Sequence, residues 1–316
     1  MTLVSVITPS YNQAAFLEEA LRSVLEQEYP HIEYFVIDGG STDGSVEIIR
    51  KYADKLTWWV SEPDSGQAEA INKGFARANG EIIAWLNSDD YYLPATIAEV
   101  VRQFETHPEI GMLYGDVLSI DGEGNPIYVQ RFRPYTLEDL MAFNIISQPA
   151  VFLRRDALRK AGGLDLSYRY LLDHHLWIRV ALHAPLYYFP KILAAARYHE
   201  DAKNIARAAE FGKEAFRILA WMSRDSALES LVQKNKRKIH AGAHRLDAFY
   251  LVEAGKMSEG LAAYARAFKF SPRIALKSWK RILYALASLF GFGKIRELYR
   301  RARIRILQRA HQGTRS

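Results

Sequence analysis

Residues 4–12 read VSVITPSYN, a run of β-branched side chains that ends in a proline and small polar residues. Such a run predicts a short strand over residues 3–8, followed at once by a loop. Apolar side chains then recur at helical spacing through residues 14–27. The start of the chain therefore predicts a strand, a polar loop and a helix in succession.

The same order repeats along the first third of the chain. Further apolar runs of strand length occupy residues 34–37, 57–60 and 81–86, and helical patterns separate them. Strands that are apolar on both faces and alternate with helices are typical of a parallel sheet covered on both sides. The sequence thus predicts an α/β fold with a mostly parallel twisted sheet flanked by helices.

A polar cluster follows each of these four strands. The clusters occupy residues 8–12, 38–43, 62–67 and 87–90. Parallel strands end at the same edge of a sheet, and ligands bind outside the carboxyl ends of such strands. The four clusters therefore predict one assembled site.

The composition excludes several classes of protein. The chain has no cysteine, so disulfide frameworks, thiol nucleophiles and cysteine-bound metals are ruled out. Neither the P-loop motif nor a G-x-G-x-x-G segment after the first strand occurs, which argues against P-loop and dinucleotide chemistry. Hydrophobic residues at 49% and charged residues at 25% exclude wholesale disorder.

Charge is divided unevenly along the chain. Residues 231–316 hold 20 Lys or Arg against four Asp or Glu, whereas residues 1–230 hold 22 against 32. From about residue 205 the apolar spacing is helical. We therefore expect a first domain over residues 1–205 and a basic α-helical region over residues 206–316. That region should contain one tetratricopeptide-like hairpin (241–253 with 258–270) and an amphipathic terminal helix (294–309).

A basic end on an acidic body predicts contact with an anionic surface, either a membrane or a nucleic acid. The longest apolar run, residues 282–292, has 11 residues, and a spanning helix needs roughly 20. The first residues lack the features of a signal peptide. We expect a cytoplasmic protein that at most lies on the inner face of the cytoplasmic membrane.

Two acidic segments admit both a chemical and a structural interpretation. Residues 87–90, Asn-Ser-Asp-Asp, place paired carboxylates at a strand end, where a hard divalent cation such as Mg²⁺ or Mn²⁺ would offset their repulsion. The structural interpretation of residues 87–90 is a helix N-cap before Pro94, a position that Asp favours. Residues 38–44, Asp-Gly-Gly-Ser-Thr-Asp-Gly, could bind a base or ribose, or could form a bare turn.

Seven segments, taken in order, resemble the family-two inverting glycosyltransferases, a group with the GT-A fold. The resemblance covers roughly residues 3–200. The segments are VSVITPSYN (4–12), IDGGSTDGS (37–45), EPDSGQ (62–67), WLNSDD (85–90), QPAVF (148–152), GGLD (162–165) and DHHLWIR (173–179).

The resemblance implies transfer of a sugar from a nucleotide-diphosphate donor to an acceptor hydroxyl, with inversion at the anomeric carbon. By position, Asp173 matches the general base, which would take the proton of the attacking hydroxyl. Asp89 and His199 match metal ligands for a divalent cation, Mg²⁺ or Mn²⁺. The residues implied in binding the nucleotide sugar are Thr8, Pro9, Tyr11, Asp38, Asp64, Gln67, Asn72, Asn87 and Asp90.

Three positions depart from the pattern of many relatives. Asn87 stands where many carry the first Asp of the metal motif, Ile71 where many have Arg, and Leu172 where a Glu is common. We interpret these as variation within an active subgroup, and an inactive homologue remains the alternative. His174 and His175 are adjacent, about 100° apart on a helix, so we predict surface or acceptor-facing residues rather than a metal pair.

The basic end favours a lipid-linked glycan acceptor, as in bacterial polysaccharide or O-antigen assembly. Residues 272–316 would bind an anionic membrane surface, and nucleic acid becomes the less favoured partner. One rival function is sugar-phosphate nucleotidyl transfer, which would call for a Gly-rich basic loop where residues 8–12 have neither glycine nor base. The other is a non-catalytic binding homologue.

Overall fold

A computed structural model gives the fold and describes residues 1–199 and 207–290. The strands of these residues are β1 Val4–Ser10, β2 Ile32–Asp38, β3 Trp58–Ser61, β4 Ile82–Trp85, β5 Tyr91–Tyr92, β6 Met112–Asp121, β7 Pro126–Gln130, β8 Val151–Arg154 and β9 Leu186–Tyr198. The helices of the first 199 residues are α1 Ala14–Leu25, α2 Ser45–Lys51, α3 Gln67–Arg77, α4 Thr96–Thr106, α5 Leu137–Met141, α6 Arg155–Ala161 and α7 Leu172–Ala181. Later helices are α8 Ala208–Met222, α9 Glu229–Lys234, α10 Lys236–Glu253, α11 Met257–Phe270, α12 Pro272–Ala275 and α13 Trp279–Leu289.

One mixed sheet forms the framework, in the order β3-β2-β1-β4-β8-β6-β9-β5, with β7 paired to β6. The first four strands are parallel, as predicted. Beyond β4, the pairings β4–β8, β6–β8 and β5–β9 are antiparallel. The predicted α/β fold is confirmed, and its parallel part is the half of the sheet built by residues 4–85.

Strand β1 lies at the centre of the parallel half, and all seven of its residues are buried. Its pairing with β2 brings Ser10 opposite Asp38, and β2 in turn pairs Asp38 with Ser61 of β3. The three strands therefore end in register. The loops after them begin side by side, which is the arrangement that the polar clusters predicted.

The chain separates into two compact units. The first contains Met1–Ser119, Val129–Thr136 and Ile146–Arg197, and the second contains Ile120–Tyr128, Leu137–Ile145 and the chain from Tyr198 onward. The proposed domain boundary after residue 205 lies outside the described residues. Two segments from the middle of the chain also join the second unit, which one-dimensional pattern reading does not anticipate.

The second unit contains the expected helical pair, α10 and α11. Gly255 turns the chain between them with a φ of 77°, in the left-handed region that favours glycine. Helix α13 packs Ala285 into an apolar cluster with Ala248 and Ala263. None of the helices in the described residues has both the length and the apolarity needed to cross a membrane. The predicted helix over 294–309 lies outside the described residues.

Candidate active site

The loops after β1 and β2 are joined by their own side chains. Asn12 N–H donates to Ser41 Oγ at 2.7 Å, and Thr42 N–H donates to Asn12 Oδ1 at 2.9 Å. Asp43 accepts from the N–H of Ala14, at the start of α1, and from the N–H of Ser45, at the start of α2. Side chains thus connect the two loops and constrain their shape.

Asp38 is fully buried at the end of β2. Its Oδ2 accepts from the N–H groups of Gly40 and Ser41 and from Ser61 Oγ, while Oδ1 accepts from Ser41 Oγ. Four bonds are about what a carboxylate can accept. Asp38 therefore shapes the loop that follows it, and its direct contact with a nucleoside stays a prediction.

Thr8 and Pro9 are also buried, inside strand β1. The Thr8 hydroxyl bonds to the Tyr34 hydroxyl at 2.8 Å, and burial raises the pKa of Tyr34. In the structure, both residues lie in the buried end of β1, directly before the loop that follows it. Their predicted contact with the donor is untested.

The exposed part of the site at the strand ends is formed by Tyr11, Gly39 and Asp64. Tyr11 is 62% exposed, so its ring faces solvent. A Cβ added at Gly39 would lie 2.9 Å from Asp64 Oδ2 and 3.3 Å from Tyr11 Cδ2. Asp64 is oriented by the N–H of Gly66, which donates to Oδ1 at 2.8 Å. The three residues are close-packed because position 39 has no side chain.

A hydrogen-bond chain runs across the end of β4. Gln67 Nε2 donates to Asn87 Oδ1 at 2.7 Å, and Asn87 Nδ2 donates to Asp90 Oδ2 at 3.2 Å. Asp90 Oδ1 accepts the N–H of Arg197 at 3.0 Å. Burial, followed by the charge of Asp89, holds the pKa of Asp90 well above its usual range. Asn87 donates a hydrogen bond to Asp90, where a further carboxylate beside Asp89 and Asp90 would add repulsion.

Arg197 is a residue whose importance the sequence did not reveal. Its guanidinium is almost fully buried; it bonds to the Asp89 carbonyl through Nε at 3.1 Å and pairs with Glu19. The only signal was a base directly after the apolar run Leu193–Ala196. Arg197 holds the backbone of Asp89 and the carboxylate of Asp90 in place.

Gln148 begins the segment QPAVF that carries part of the resemblance, but the sequence pattern assigned no role to this residue. It is buried, and its Nε2 donates to the carbonyl of Trp85, the last residue of β4, at 2.6 Å. Trp85 stacks on Trp177 of α7 with ring centroids 5.1 Å apart. These contacts fix the strand end from which residues 87–90 extend.

Oxygen ligands at the end of β4 fit a hard cation. Asp89 is partly exposed beside the buried Asp90, and a divalent ion there would offset the adjacent charges. Within the described residues, no three His, Asp or Glu side chains are grouped so as to hold a metal unaided. His199 belongs to the second unit and lies near Gly122. A Cβ added at Gly122 would be 3.8 Å from the Cβ of His199. Its role as a ligand stays a prediction.

Asp173 is the second residue of α7, and its Oδ1 accepts the N–H of His174 at 2.7 Å. Asp173 is partly exposed, but His174 and His175 are buried. The prediction that the two histidines are surface or acceptor-facing is wrong, because α7 is covered on most of its circumference. The adjacent histidines belong to the packing of the helix, with His175 against the Tyr168 ring.

Asn72, predicted to lie near the nucleotide, is tied to the backbone 92 residues away. Its Nδ2 donates to the Leu164 carbonyl at 2.8 Å, and its Oδ1 accepts the Leu164 N–H at 2.8 Å. A Cβ at Gly163 would come within 2.6 Å of Asn72 Oδ1, which explains the glycine there. Asn72 positions the segment 162–165, and direct contact with the donor stays untested.

Comparison with known proteins agrees with this geometry. The family model described as glycosyl transferase family 2 matches residues 5–161. An uncharacterized glycosyltransferase of Mycobacterium tuberculosis is 32% identical over 186 residues, which cover 57% of this chain and 69% of that protein. A Rickettsia conorii relative, also an uncharacterized glycosyltransferase, is 28% identical over 63% of this chain. This chain spans only 35% of the Rickettsia protein.

Two solved structures share the fold. S. aureus TarS, in a complex with UDP-GlcNAc, has a TM-score of 0.65 at 19% identity, covering 95% of this chain and 92% of that one. The Pyrobaculum calidifontis mannosyltransferase PcManGT, in a complex with GDP-Man and Mn²⁺, has a TM-score of 0.61 at 21% identity over 92% and 87%. The strand-end site, the sheet and these matches lead to one conclusion: the chain has the GT-A fold and belongs to glycosyl transferase family 2.

Proposed function

We propose that this chain transfers a sugar from a nucleotide-diphosphate donor to an acceptor hydroxyl, with inversion at the anomeric carbon. The observation that carries the proposal is the hydrogen-bonded group Gln67, Asn87, Asp90 and Arg197 beside Asp89 at the end of β4. Nucleotide sugars occupy the related folds of TarS and PcManGT. We infer the same class of donor here.

The nucleoside would bind at Tyr11, Gly39 and Asp64. The exposed Tyr11 ring offers a face for a base, and Asp64 offers carboxylate oxygens that can accept from a base or a ribose. The bonds of Asp38 and Thr8 keep this surface in shape before the donor arrives. A preformed surface loses less entropy on binding than one that must first order.

A divalent cation, Mg²⁺ or Mn²⁺, would be held by Asp89 together with the donor phosphates, with His199 as a further candidate ligand. Such ions commonly use one or two carboxylates plus substrate phosphates, and among residues 1–199 and 207–290 no three candidate ligands are grouped. When bound, the cation would stabilise negative charge on the departing diphosphate.

Asp173 is proposed as the general base. The acceptor oxygen would form a bond to the anomeric carbon while the bond from that carbon to the diphosphate oxygen breaks. Asp173 would take the proton of the attacking hydroxyl. Asp173 lies in the first turn of α7, where the helix dipole favours an acidic side chain.

Donor and metal can be tested together. Thermal unfolding would be followed with UDP-, GDP- and dTDP-sugars, each with Mg²⁺, with Mn²⁺ or with a chelator. A bound donor raises the apparent Tm by mass action. We expect one nucleotide to stabilise the chain in a metal-dependent manner, and Asp89→Asn to remove the metal dependence. Stabilisation that is equal with chelator would contradict Asp89 as a ligand, and none with any nucleotide sugar would contradict the donor class.

The acceptor side of the proposal is a glycan on a lipid carrier, reached by binding an anionic membrane. Helix α13 leaves an apolar stripe exposed, with Trp279, Leu283, Leu286 and Phe290 each at least 41% accessible. Lys280 lies beside Trp279, its Nζ 5.7 Å from a ring centroid. Apolar side chains flanked by bases are typical of helices that lie in a membrane interface.

Vesicle sedimentation tests this surface. The variant Trp279→Ser/Leu286→Ser removes exposed side chains, so folding should be retained. We expect it to sediment less with phosphatidylglycerol vesicles than the unchanged protein does. Leu166→Ser, which removes an exposed leucine of the first unit, serves as the control. Equal sedimentation of all three proteins would argue against membrane binding through α13.

A further inference from the structure

The second unit contains a cavity of about 450 Å³, and several of the residues that line it are Lys or Arg. Cavities of roughly 300–1,000 Å³ are the size of small-molecule sites. Among the described residues no Asp or Glu lines it, and five of its lining residues are bases: Arg237, Lys238, Arg245, Arg273 and Lys277. All of them belong to the second unit.

Backbone carbonyls orient two of these bases. Arg237 Nε donates to the Phe270 carbonyl at 3.1 Å, and Arg245 Nη2 donates to the Phe143 carbonyl at 3.0 Å. These two bonds hold the guanidinium groups in place, and their acceptors are uncharged carbonyl oxygens. Lys238 pairs with Asp139 at 3.3 Å, which supplies one counter-charge from outside the lining.

The start of α10 adds positive charge to the same place. Its first turn holds Lys236, Arg237 and Lys238 and contains no acid. A helix N-terminus carries partial positive charge from the aligned peptide dipoles, so cations are unfavourable there and anions favourable. Three successive bases at this position oppose the stability of the helix, and a bound anion would relieve the repulsion.

We propose that this cavity binds a phosphate or diphosphate group. Guanidinium groups offer paired donors that match phosphate oxygens, and five neighbouring bases favour a multiply charged anion over a single carboxylate. Phe270 and Pro272 line the same cavity and give an apolar surface for whatever carries the phosphate. The site lies outside the strand-end residues that the proposed transfer reaction uses, so it does not depend on that reaction.

The first experiment measures binding of inorganic pyrophosphate to the full chain by calorimetry, without divalent cations. The variant Arg237→Gln/Arg273→Gln removes two cations of the lining. Its control, Arg217→Gln/Arg224→Gln, removes the same charge from elsewhere in the unit. We expect the lining variant to bind pyrophosphate at least about tenfold more weakly and the control to bind like the unchanged protein.

Lys277→Gln is a second, milder variant on an exposed side chain, and several-fold weaker binding is expected. No binding to the unchanged protein would overturn the proposal. So would equal affinity in all variants, which would place the anion elsewhere, such as at the strand-end site.

A further arm separates the sources of the phosphate. The protein is bound to phosphatidylglycerol vesicles, and pyrophosphate is added as a competitor. Release from the vesicles supports the cavity as a headgroup site, whereas retention with bound pyrophosphate supports a site for a soluble phosphate compound. Phosphatidylcholine vesicles give the background.

Discussion

The two units differ in the charged side chains that they bring together: acids at the strand ends of the first unit, and bases around a cavity in the second. At the strand ends of the first unit, Asp38 and Asp43 accept hydrogen bonds from the loop that contains them, and Asp38 also accepts one from Ser61 of β3. In the second unit, bases gather around a cavity and at the start of α10, with few acids in the sequence nearby. In the first unit, polar side chains thus hold the loops in shape, whereas in the second unit several bases lie close together, where the proposed anion would bind.

The largest effect would come from Asp173→Asn, which changes the charge and keeps the shape. If Asp173 is the general base, the variant should transfer the sugar about 10²–10⁴-fold more slowly, because an amide cannot take the proton of the acceptor hydroxyl. The rate is measured with the donor identified by thermal shift, and donor binding is measured alongside. Undiminished transfer would remove Asp173 from the mechanism; absence of transfer in both proteins would favour a binding homologue.

Asn72→Ala tests whether that residue maintains shape or binds the donor. Loss of the paired bonds to Leu164 should lower the free energy of unfolding by about 1–3 kcal/mol, measured by urea denaturation. Asn79→Ala removes an exposed amide and should change it by less than about 0.5 kcal/mol. Normal unfolding together with weaker donor binding would instead make Asn72 a direct ligand.

Gly39→Ala perturbs the exposed part of the site at the strand ends. The new methyl group would crowd Asp64 Oδ2 at 2.9 Å, so the carboxylate must move, and we expect donor affinity to fall about tenfold. Calorimetry with the donor measures this. Gly122→Ala is the matched control, since the nearest atom to its methyl group would be 3.8 Å away. Unchanged affinity in Gly39→Ala would show that the nucleoside binds elsewhere.

The smallest expected effect is the pH dependence of stability that two histidines of the second unit contribute. Burial lowers the pKa values of His240 and His244 from 6.5, and the neighbouring bases Lys236 and Arg266 lower them further. The folded chain therefore favours neutral rings, so stability is present above pH 6.5 and is lost as the pH falls below it. His240→Gln/His244→Gln should flatten this slope between pH 7 and pH 5.

The expected change in Tm for the histidine variant is on the order of 1–2 °C, because water reaches both rings and weakens the effect. Scanning calorimetry at several pH values measures it. A steeper slope in the variant would contradict the sign of both shifts.

Local pattern was enough to predict the parallel half of the sheet. Strands β1–β4 and the polar residues after them follow from apolar runs and turn residues that are adjacent in sequence. The antiparallel half was missed, since the pairing of β4 with β8 joins residues about 70 positions apart and leaves no local period. The membership of residues 120–128 and 137–145 in the second unit was missed for the same reason.

Residue types predicted which loops meet at one edge of the sheet better than they predicted the contacts of each residue. The sequence identified Asn72 and His174 as polar positions, but their surroundings depend on packing. The bond from Asn72 to Leu164 and the covering of α7 arise only when distant segments meet. The position of Arg197 after an apolar run does not reveal its role, because its partners Asp89, Asp90 and Glu19 precede it by more than 100 residues.

The bonds that join the loops after β1 and β2 affect how this region can open. Asn12, Asp43 and Ser45 connect the two loops through the starts of α1 and α2. Neither loop can leave its position without breaking bonds to the other, so we expect them to open as one cooperative unit. Amide hydrogen exchange at residues 12–14 and 41–45 should then follow a shared opening equilibrium and slow together when a donor is bound.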